Sequence, residues 1–121
     1  MTTINPKHID WKKCNRHLKE LIPQIKDAIR DSEYQELENL TKDVKFIPGK
    51  IRLSLSRSLE QKELDRIPLL VGRLADRFKL NAQKETRAYV SEKNIHDPTY
   101  EGVRSYLFEP DNYDQFKKQS N

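Results

Sequence analysis

The sequence predicts a helix-rich α+β fold, with four to five helices and either a small β-hairpin or a three-stranded antiparallel sheet. Two observations support this class. Apolar residues recur at spacings of three and four over most of the chain, as amphipathic helices require. Between residues 44 and 56 the apolar period changes to two, which is typical of strands. An all-α bundle is the alternative if that segment is a loop.

The first predicted helix has one continuous apolar face. Asn5 and Pro6 are typical of a helix start, with Asn5 as the N-cap and Pro6 at the first helical position. Pro23 lies inside the helix, but the apolar spacing keeps its phase across it, which favours a kink over a break. The face consists of Trp11, Cys14, Leu18, Leu21, Ile25 and Ala28.

Capping-box patterns predict two more helices, one on each side of the period-two segment. The pattern at residues 32–35 begins a second helix, which is acidic on its outer side and keeps an apolar face as far as Val44. The pattern at residues 58–61 begins a third helix, which Pro68 interrupts after two turns. Its apolar face comprises Ile67, Leu70 or Val71, Leu74 and Phe78.

The segment VKFIPGKIRLSLS, residues 44–56, predicts the hairpin. Pro48 and Gly49 suit the two central positions of a type II turn, and apolar residues alternate with polar ones on both sides. Two-residue hairpin loops favour other turn types, so a wider loop is also compatible with the sequence.

The last third of the chain is less regular. Residues 81–95 are compatible with a helix or a strand. Asp97 and Pro98 are typical of a helix start, and Tyr100, Val103 and Leu107 would share one face of that helix. Pro110 would end it. We expect one domain, residues 1–121, in which residues 109–121 form a loosely ordered tail.

Composition indicates a complete cytoplasmic protein. Cys14 is the single cysteine, which fits a reducing compartment. The N-terminal segment lacks the apolar stretch of a signal peptide, and no apolar run approaches the roughly 20 residues of a membrane helix. The net charge of +4 and the pI of about 9.2 permit an anionic partner.

Basic residues on the polar side of the hairpin predict contact with nucleic acid. Residues 44–57 carry four basic residues and no acidic one, and a row of cations and hydroxyls can contact successive phosphates. The alternative is a solvated strand face. If residues 81–95 are helical, they complete a helix-turn-helix that adds two further cations. The predicted nucleic-acid-binding residues are Lys12, Lys13, Arg16, Lys45, Lys50, Arg52, Arg57, Lys84 and Arg87, and Lys19 of the first helix would add to them.

A second hypothesis is a protein–protein interface. Residues 27–43 carry six acidic and two basic residues, a segregation that suits a basic partner. A tryptophan at the start of the first apolar face is the type of residue that packs in a core, and an interface anchor is the alternative role for it. The predicted partner-binding residues are Trp11, Glu33, Glu36 and Glu38.

No pattern in the sequence predicts catalysis, a metal or a cofactor. Cys14 and His17 lie one helical turn apart, but no nucleophile motif surrounds them, and the three histidines lack zinc-site spacing. The three glycines form no phosphate-binding loop. We therefore expect a non-enzymatic, nucleic-acid-binding or nucleoprotein-complex accessory protein, with RNA and DNA both open as ligands. The alternative is an adaptor or inhibitor that binds another protein.

Overall fold

The computed structural model describes residues 6–89 and 100–118, excluding the side chains of residues 6, 61, 86–89 and 100–102. These residues form three helices and four strands, so the predicted α+β class is confirmed, with fewer helices and a larger sheet than expected. No described helix has the length and apolar character that crossing a membrane requires. The elements in chain order are α1 (Trp11–Ile29), α2 (Gln35–Leu40), β1 (Thr41–Ile47), β2 (Lys50–Leu55), α3 (Arg66–Arg77), β3 (Leu80–Tyr89) and β4 (Tyr100–Pro110).

Helix α1 begins later than predicted and continues through Pro23 without a break. The predicted cap, Asn5, lies outside the described residues. Asp10 caps the helix instead, since its side chain accepts a hydrogen bond from the backbone N–H of Lys13 at 3.2 Å. The predicted apolar face is buried except for Trp11, whose exposed fraction is 39%.

Helix α2 is shorter than the sequence indicates. A 3₁₀ turn at Ser32–Tyr34 precedes it, and Asp31 rather than Ser32 supplies the capping oxygen. The Thr41 hydroxyl donates to the Leu37 carbonyl at 2.7 Å, and the backbone becomes extended at Thr41. Val44, which the sequence placed both at the end of this helical face and at the start of the hairpin, therefore belongs to the sheet.

Strands β1 and β2 form the predicted hairpin with a two-residue loop. Ile47 pairs with Lys50, so Pro48 and Gly49 are the whole turn. Gly49 has φ of +78°, as the third position of a type II turn requires. The register places Val44 opposite Leu53, and the apolar residues of both strands except Ile47 face the core.

Helix α3 begins at Arg66, after a 3₁₀ turn at Gln61–Glu63, so the third predicted helix starts late. Pro68 lies in its first turn, where a missing backbone N–H costs no hydrogen bond. Ile67, Val71 and Leu74 are buried, which confirms the predicted apolar face.

The predicted helix after Asp97 is wrong, because residues 100–110 form strand β4. Tyr106 and Phe108 face the core while Ser105 and Leu107 face the other side, a period of two. Strand β3 pairs with β4 from Leu80 to Tyr89, so the helix-turn-helix is also wrong; residues 90–95 lie outside the described part.

The sheet has the antiparallel order β1-β2-β4-β3, with β1 and β3 at its edges. One face packs against the helices, with α1 over β1 and β2 and α3 over β3. The inward residues of all four strands join the apolar faces of the helices in one core. The other face of the sheet is mostly polar, although Ile47 and Leu107 also lie on it.

The described part of the predicted loose tail is packed against the start of the chain. Phe116 is buried, with 2% of its surface exposed. Its carbonyl accepts a hydrogen bond from the backbone N–H of Asp10 at 2.6 Å, and Ile9 bridges to Lys117. These contacts hold residues 114–118 beside the first turn of α1.

Candidate nucleic-acid interface

The polar sheet face contains most of the predicted hairpin cations, but carboxylates accompany them. Strand register places both kinds of side chain on this face, because alternate residues point the same way. Three cations and three carboxylates result, so the described part of this face has no excess of positive charge. They are Lys45, Lys50, Arg52, Asp43, Glu85 and Glu109.

Arg52 forms a bidentate ion pair across the sheet. It reaches past β4 to Glu85 on β3, with Nε–Oε1 at 2.9 Å and Nη2–Oε2 at 3.4 Å. The Ser105 hydroxyl donates to the same carboxylate at 2.6 Å. The Ser105 hydrogen bond and the Arg52 guanidinium hold the pKa of Glu85 below its usual range, although burial opposes them. Arg52 is therefore already paired with an anion.

Lys45 and Arg57 are also paired. Lys45 lies 3.3 Å from Asp43 on the same strand. Arg57 donates two hydrogen bonds of 2.8 Å to Glu63, and this contact lowers the pKa of the Glu63 carboxyl. A phosphate would have to compete with a carboxylate for each of these cations.

The two predicted cations of residues 81–95 do not join the hairpin row. Lys84 pairs in register with Tyr106, so it lies on the helix-covered side of the sheet near α3. The side chain of Arg87 lies outside the described residues. The structure therefore does not bring the predicted residues onto one surface.

Helix α1 and its C-cap residue Arg30 carry a basic stripe that includes three of the predicted residues, Lys12, Arg16 and Lys19. At 100° per residue, five exposed cations fall within a sector of about 80°. Glu20 and Asp27 project outside this sector, as does the predicted residue Lys13. The five cations of the stripe are Lys12, Arg16, Lys19, Lys26 and Arg30.

The stripe lies along the edge strand β1. The Lys19 ammonium sits 4.7 Å from the centre of the Phe46 ring, a cation–π contact that fixes its position. Further along α1, Lys26 and Arg30 share a groove with Lys42 of β1. We call these six cations, Lys12, Arg16, Lys19, Lys26, Arg30 and Lys42, the basic ridge.

Acidic residues are present at one end of the basic ridge. Asp27 lies 3.7 Å from Arg30, and both side chains are largely exposed. Glu38 and Asp43 line the groove that holds Lys26 and Lys42. The positive charge is therefore least compensated around the first three turns of α1.

Lys26, Arg30 and Lys42 were not among the predicted site residues. The spacing of Lys12, Lys19 and Lys26 is seven residues, two helical turns, which places all three on one side of a helix. That spacing could have predicted from the sequence that Lys26 lies on the same side of the helix as Lys12 and Lys19. Lys42 could not be found in this way, because a strand-to-helix contact brings it to the ridge.

The predicted acidic face is divided between two places. The Arg66 guanidinium donates to the Glu36 carboxylate at 2.5 Å, and Glu33 lines the same groove between α2 and α3. Glu38 lies on the other side, near Lys26 and Lys42. The structure thus separates the three glutamates that the sequence grouped.

Trp11, the first residue of α1, packs against the hairpin turn. A Cβ atom added at Gly49 would lie 3.2 Å from the indole, and the ring meets Tyr113 edge-on at 6.1 Å. Asn15 Oδ1 accepts a hydrogen bond from the Gly49 N–H at 2.8 Å. These contacts give Trp11 a packing role, with 39% of its surface still exposed.

Within the described residues, no cluster of three or more His, Cys, Asp or Glu side chains could hold a metal ion. Cys14 is buried on the core side of α1, and burial raises the pKa of its thiol. A protonated, buried thiol is a poor nucleophile.

Comparisons of the chain with protein-family models, curated proteins and solved structures found no match.

Proposed function

We propose that this protein binds the phosphate backbone of RNA or DNA through the basic ridge, as a non-enzymatic accessory protein of the cytoplasm. The observation that carries the proposal is the alignment of five exposed cations on one side of α1 beside Lys42 of β1. Phosphate contacts supply affinity without reading sequence. The basic ridge replaces the basic residues of the hairpin, residues 44–57, as the proposed binding surface.

The dimensions of the ridge suit a nucleic-acid backbone. Lys12 and Arg30 are 18 residues apart, which corresponds to about 27 Å along a helix. One strand of duplex DNA carries a charge every ~3.4 Å of its axis, so the ridge spans about eight phosphates. Five or six cations along that length can each neutralise one phosphate.

The ridge cations are also more available than the hairpin cations. Among the ridge cations, only Arg30 forms an ion pair with another described residue, and that pair is exposed and long at 3.7 Å. Exposed ion pairs contribute about 0–1 kcal/mol, so a phosphate can displace Asp27 at low cost. Arg52, in contrast, would have to give up its bidentate ion pair with Glu85 in order to bind a phosphate.

The alternative, a protein–protein module that acts through Trp11, Glu33, Glu36 or Glu38, has less support from the geometry. Glu36 is engaged by Arg66, and Glu38 faces away from the other two glutamates. Reversing all three to lysine should still abolish partner capture if this alternative is right. The partners recovered with the wild-type chain would provide the comparison.

The test is fluorescence anisotropy with short random-sequence RNA and DNA, single- and double-stranded, at two salt concentrations. With five phosphate contacts on duplex DNA, affinity should fall about 500-fold between about 50 and 200 mM salt. The double variant Lys19→Glu/Lys26→Glu should weaken binding at least about tenfold and reduce the salt slope by about 2.

A matched control is Lys13→Glu/Arg73→Glu, which changes net charge equally at two exposed positions off the ridge. This control should bind more tightly than the ridge variant at every salt concentration. Equal losses in both variants would mean that net charge alone matters, and no binding at low salt would reject the proposal.

A further inference from the structure

Trp11 exposes part of its indole beside the basic ridge. Among the described residues, Trp11 and Leu69 are the two large apolar side chains that are exposed, and 39% of the surface of Trp11 is accessible. Leu69 lies on α3, which packs over β3 at the other end of the sheet. The indole is therefore the exposed apolar surface that a ligand of the ridge would meet.

The indole and the ridge lie on the same side of α1. At 100° per residue, Trp11, Asn15 and Lys19 follow one another in steps of 40°, so this row leads from the indole into the ridge. All three contact the β1–β2 hairpin, Trp11 and Asn15 at Gly49 and Lys19 at Phe46. Eight residues, about 12 Å of helix, separate Trp11 from Lys19. A strand whose phosphates contact Lys19 therefore reaches the indole within a few nucleotides.

The indole is held in place by its neighbours. Gly49 packs against its six-membered ring, and Tyr113 meets it edge-on at 6.1 Å. A side chain that is already fixed loses little conformational entropy when a ligand packs on it. Phe46 does not offer a similar surface, because its ring packs against the core and the Lys19 ammonium lies over it at 4.7 Å. Of these two aromatic residues, Trp11 is the one available for stacking.

Asn15 adds a hydrogen-bond donor between the indole and Lys19. Its Oδ1 accepts a hydrogen bond from the Gly49 N–H at 2.8 Å, which fixes the orientation of the amide group. Its Nδ2 has no hydrogen-bond partner among the described residues. The amide is therefore available to donate a hydrogen bond to an oxygen of a bound nucleotide.

Carboxylates beyond Trp11 give a bound strand a direction. Asp10 caps α1, so its carboxylate lies at the helix end that precedes the indole. Glu109 accepts a hydrogen bond from the Tyr113 hydroxyl, on the residue that the indole contacts. Both carboxylates repel phosphate, whereas Lys19 attracts it. A strand that reaches the indole therefore continues along the ridge and not past the start of α1.

We propose that the basic ridge binds single-stranded nucleic acid, with one unpaired base stacked on Trp11. Stacking needs a free base face, which a closed duplex does not offer within its length. The inference rests on the proposed function of the ridge and adds the class of nucleic acid, a strand of RNA or DNA without its complement. Every base has a face that stacks, so little sequence preference is expected.

The test uses the fluorescence of Trp11, the single tryptophan of the chain. Oligothymidylate and oligouridylate of about ten nucleotides, slightly longer than the ridge, are compared with a duplex of equal length and with an abasic strand. Both single strands should quench the emission and bind at least about fivefold more tightly than the abasic strand, which has the phosphates but no bases. The duplex and the abasic strand should quench little.

Two variants separate stacking from phosphate contacts. Trp11→Leu keeps an apolar side chain beside Gly49 but removes the stacking surface, so affinity for the single strands should fall about tenfold. Its affinity for the abasic strand and its salt slope should not change, because no cation is lost. Leu69→Ala, at the other exposed apolar position, is the matched control and should bind like the wild type. Circular dichroism would check the fold of each variant, and the quenching of the wild type needs neither of them.

The outcomes distinguish this inference from the proposed function. Salt-dependent binding without quenching, equal for the oligothymidylate and the abasic strand, would overturn stacking and leave the ridge as a phosphate-binding surface. Quenching that persists undiminished in Lys19→Glu/Lys26→Glu would place the base contact apart from the ridge and contradict the inference. No binding of any strand at low salt would reject both proposals.

Discussion

At the scale of single residues, Glu85 is the contact point of three strands. Its carboxylate accepts from Arg52 of β2 and from Ser105 of β4 while its own backbone lies in β3. All three side chains are partly or largely buried on the polar face of the sheet. The polar face is thus held by one ion-pair network as well as by backbone hydrogen bonds.

Glu85→Gln should therefore destabilise the protein by about 1 kcal/mol at neutral pH, a value kept small because the site is partly exposed. The folded pKa of Glu85 lies below its unfolded value, so the stabilisation is present above the usual carboxyl pKa. It is lost as the pH falls through the folded pKa.

Urea unfolding would measure this loss of stability. The free energies of unfolding of the wild type and Glu85→Gln would be compared at neutral pH and at a pH well below the pKa range of carboxyl groups. The difference between them should shrink in acid, while Glu20→Gln, at an exposed position of α1, should change stability little at either pH. A difference that persists in acid would assign the effect to packing.

At the scale of elements, the hairpin turn and α1 form one unit. Gly49 combines a left-handed φ with the indole of Trp11 directly against it. Gly49→Ala should cost about 1–2 kcal/mol, because a side chain there is strained and must displace the indole. Gly72→Ala, in an open helical position, should instead stabilise by about 0.5–1 kcal/mol. Thermal unfolding of the two variants makes the comparison, and equal effects would contradict it.

Elements with a strong local pattern were predictable from sequence, and those set by distant pairing were not. The apolar stripe of α1 and the Pro48-Gly49 turn need no information from elsewhere in the chain. Strand β4 does, because Tyr100, Val103 and Leu107 fit a helical spacing by coincidence and are extended through pairing with β2 and β3. Tertiary context overrides such short patterns.

In the candidate site, too, the features set by local sequence were predictable and those set by distant pairing were not. The alternation that put Arg52 on a polar strand face predicted its direction correctly. Its partner Glu85 lies 33 residues further along the chain and joins it through the sheet order β1-β2-β4-β3. A local charge count could not show that the cation is compensated.

At the scale of the whole molecule, Phe116 connects the C-terminal segment to the core. Its ring lies 5.4 Å from that of His17 on α1 and is almost fully buried. Phe116→Ala should cost about 3–4 kcal/mol, because it opens a cavity beside α1. The neighbouring exposed residue provides the control, since Gln115→Ala should change stability by less than about 0.5 kcal/mol. Urea unfolding would show both, and a small effect for Phe116→Ala would mean that the segment contributes little.

The backbone bridge between Ile9 and Lys117 brings the two ends of the described chain together. The backbones of Ile9 and Lys117 are separated by about 5 Å, the spacing of neighbouring strands. A domain with such a narrow stem can be grafted into a surface loop of a host protein without forcing the loop apart. It could equally be joined end to end by a short linker and reopened at another exposed loop, with its sheet order unchanged.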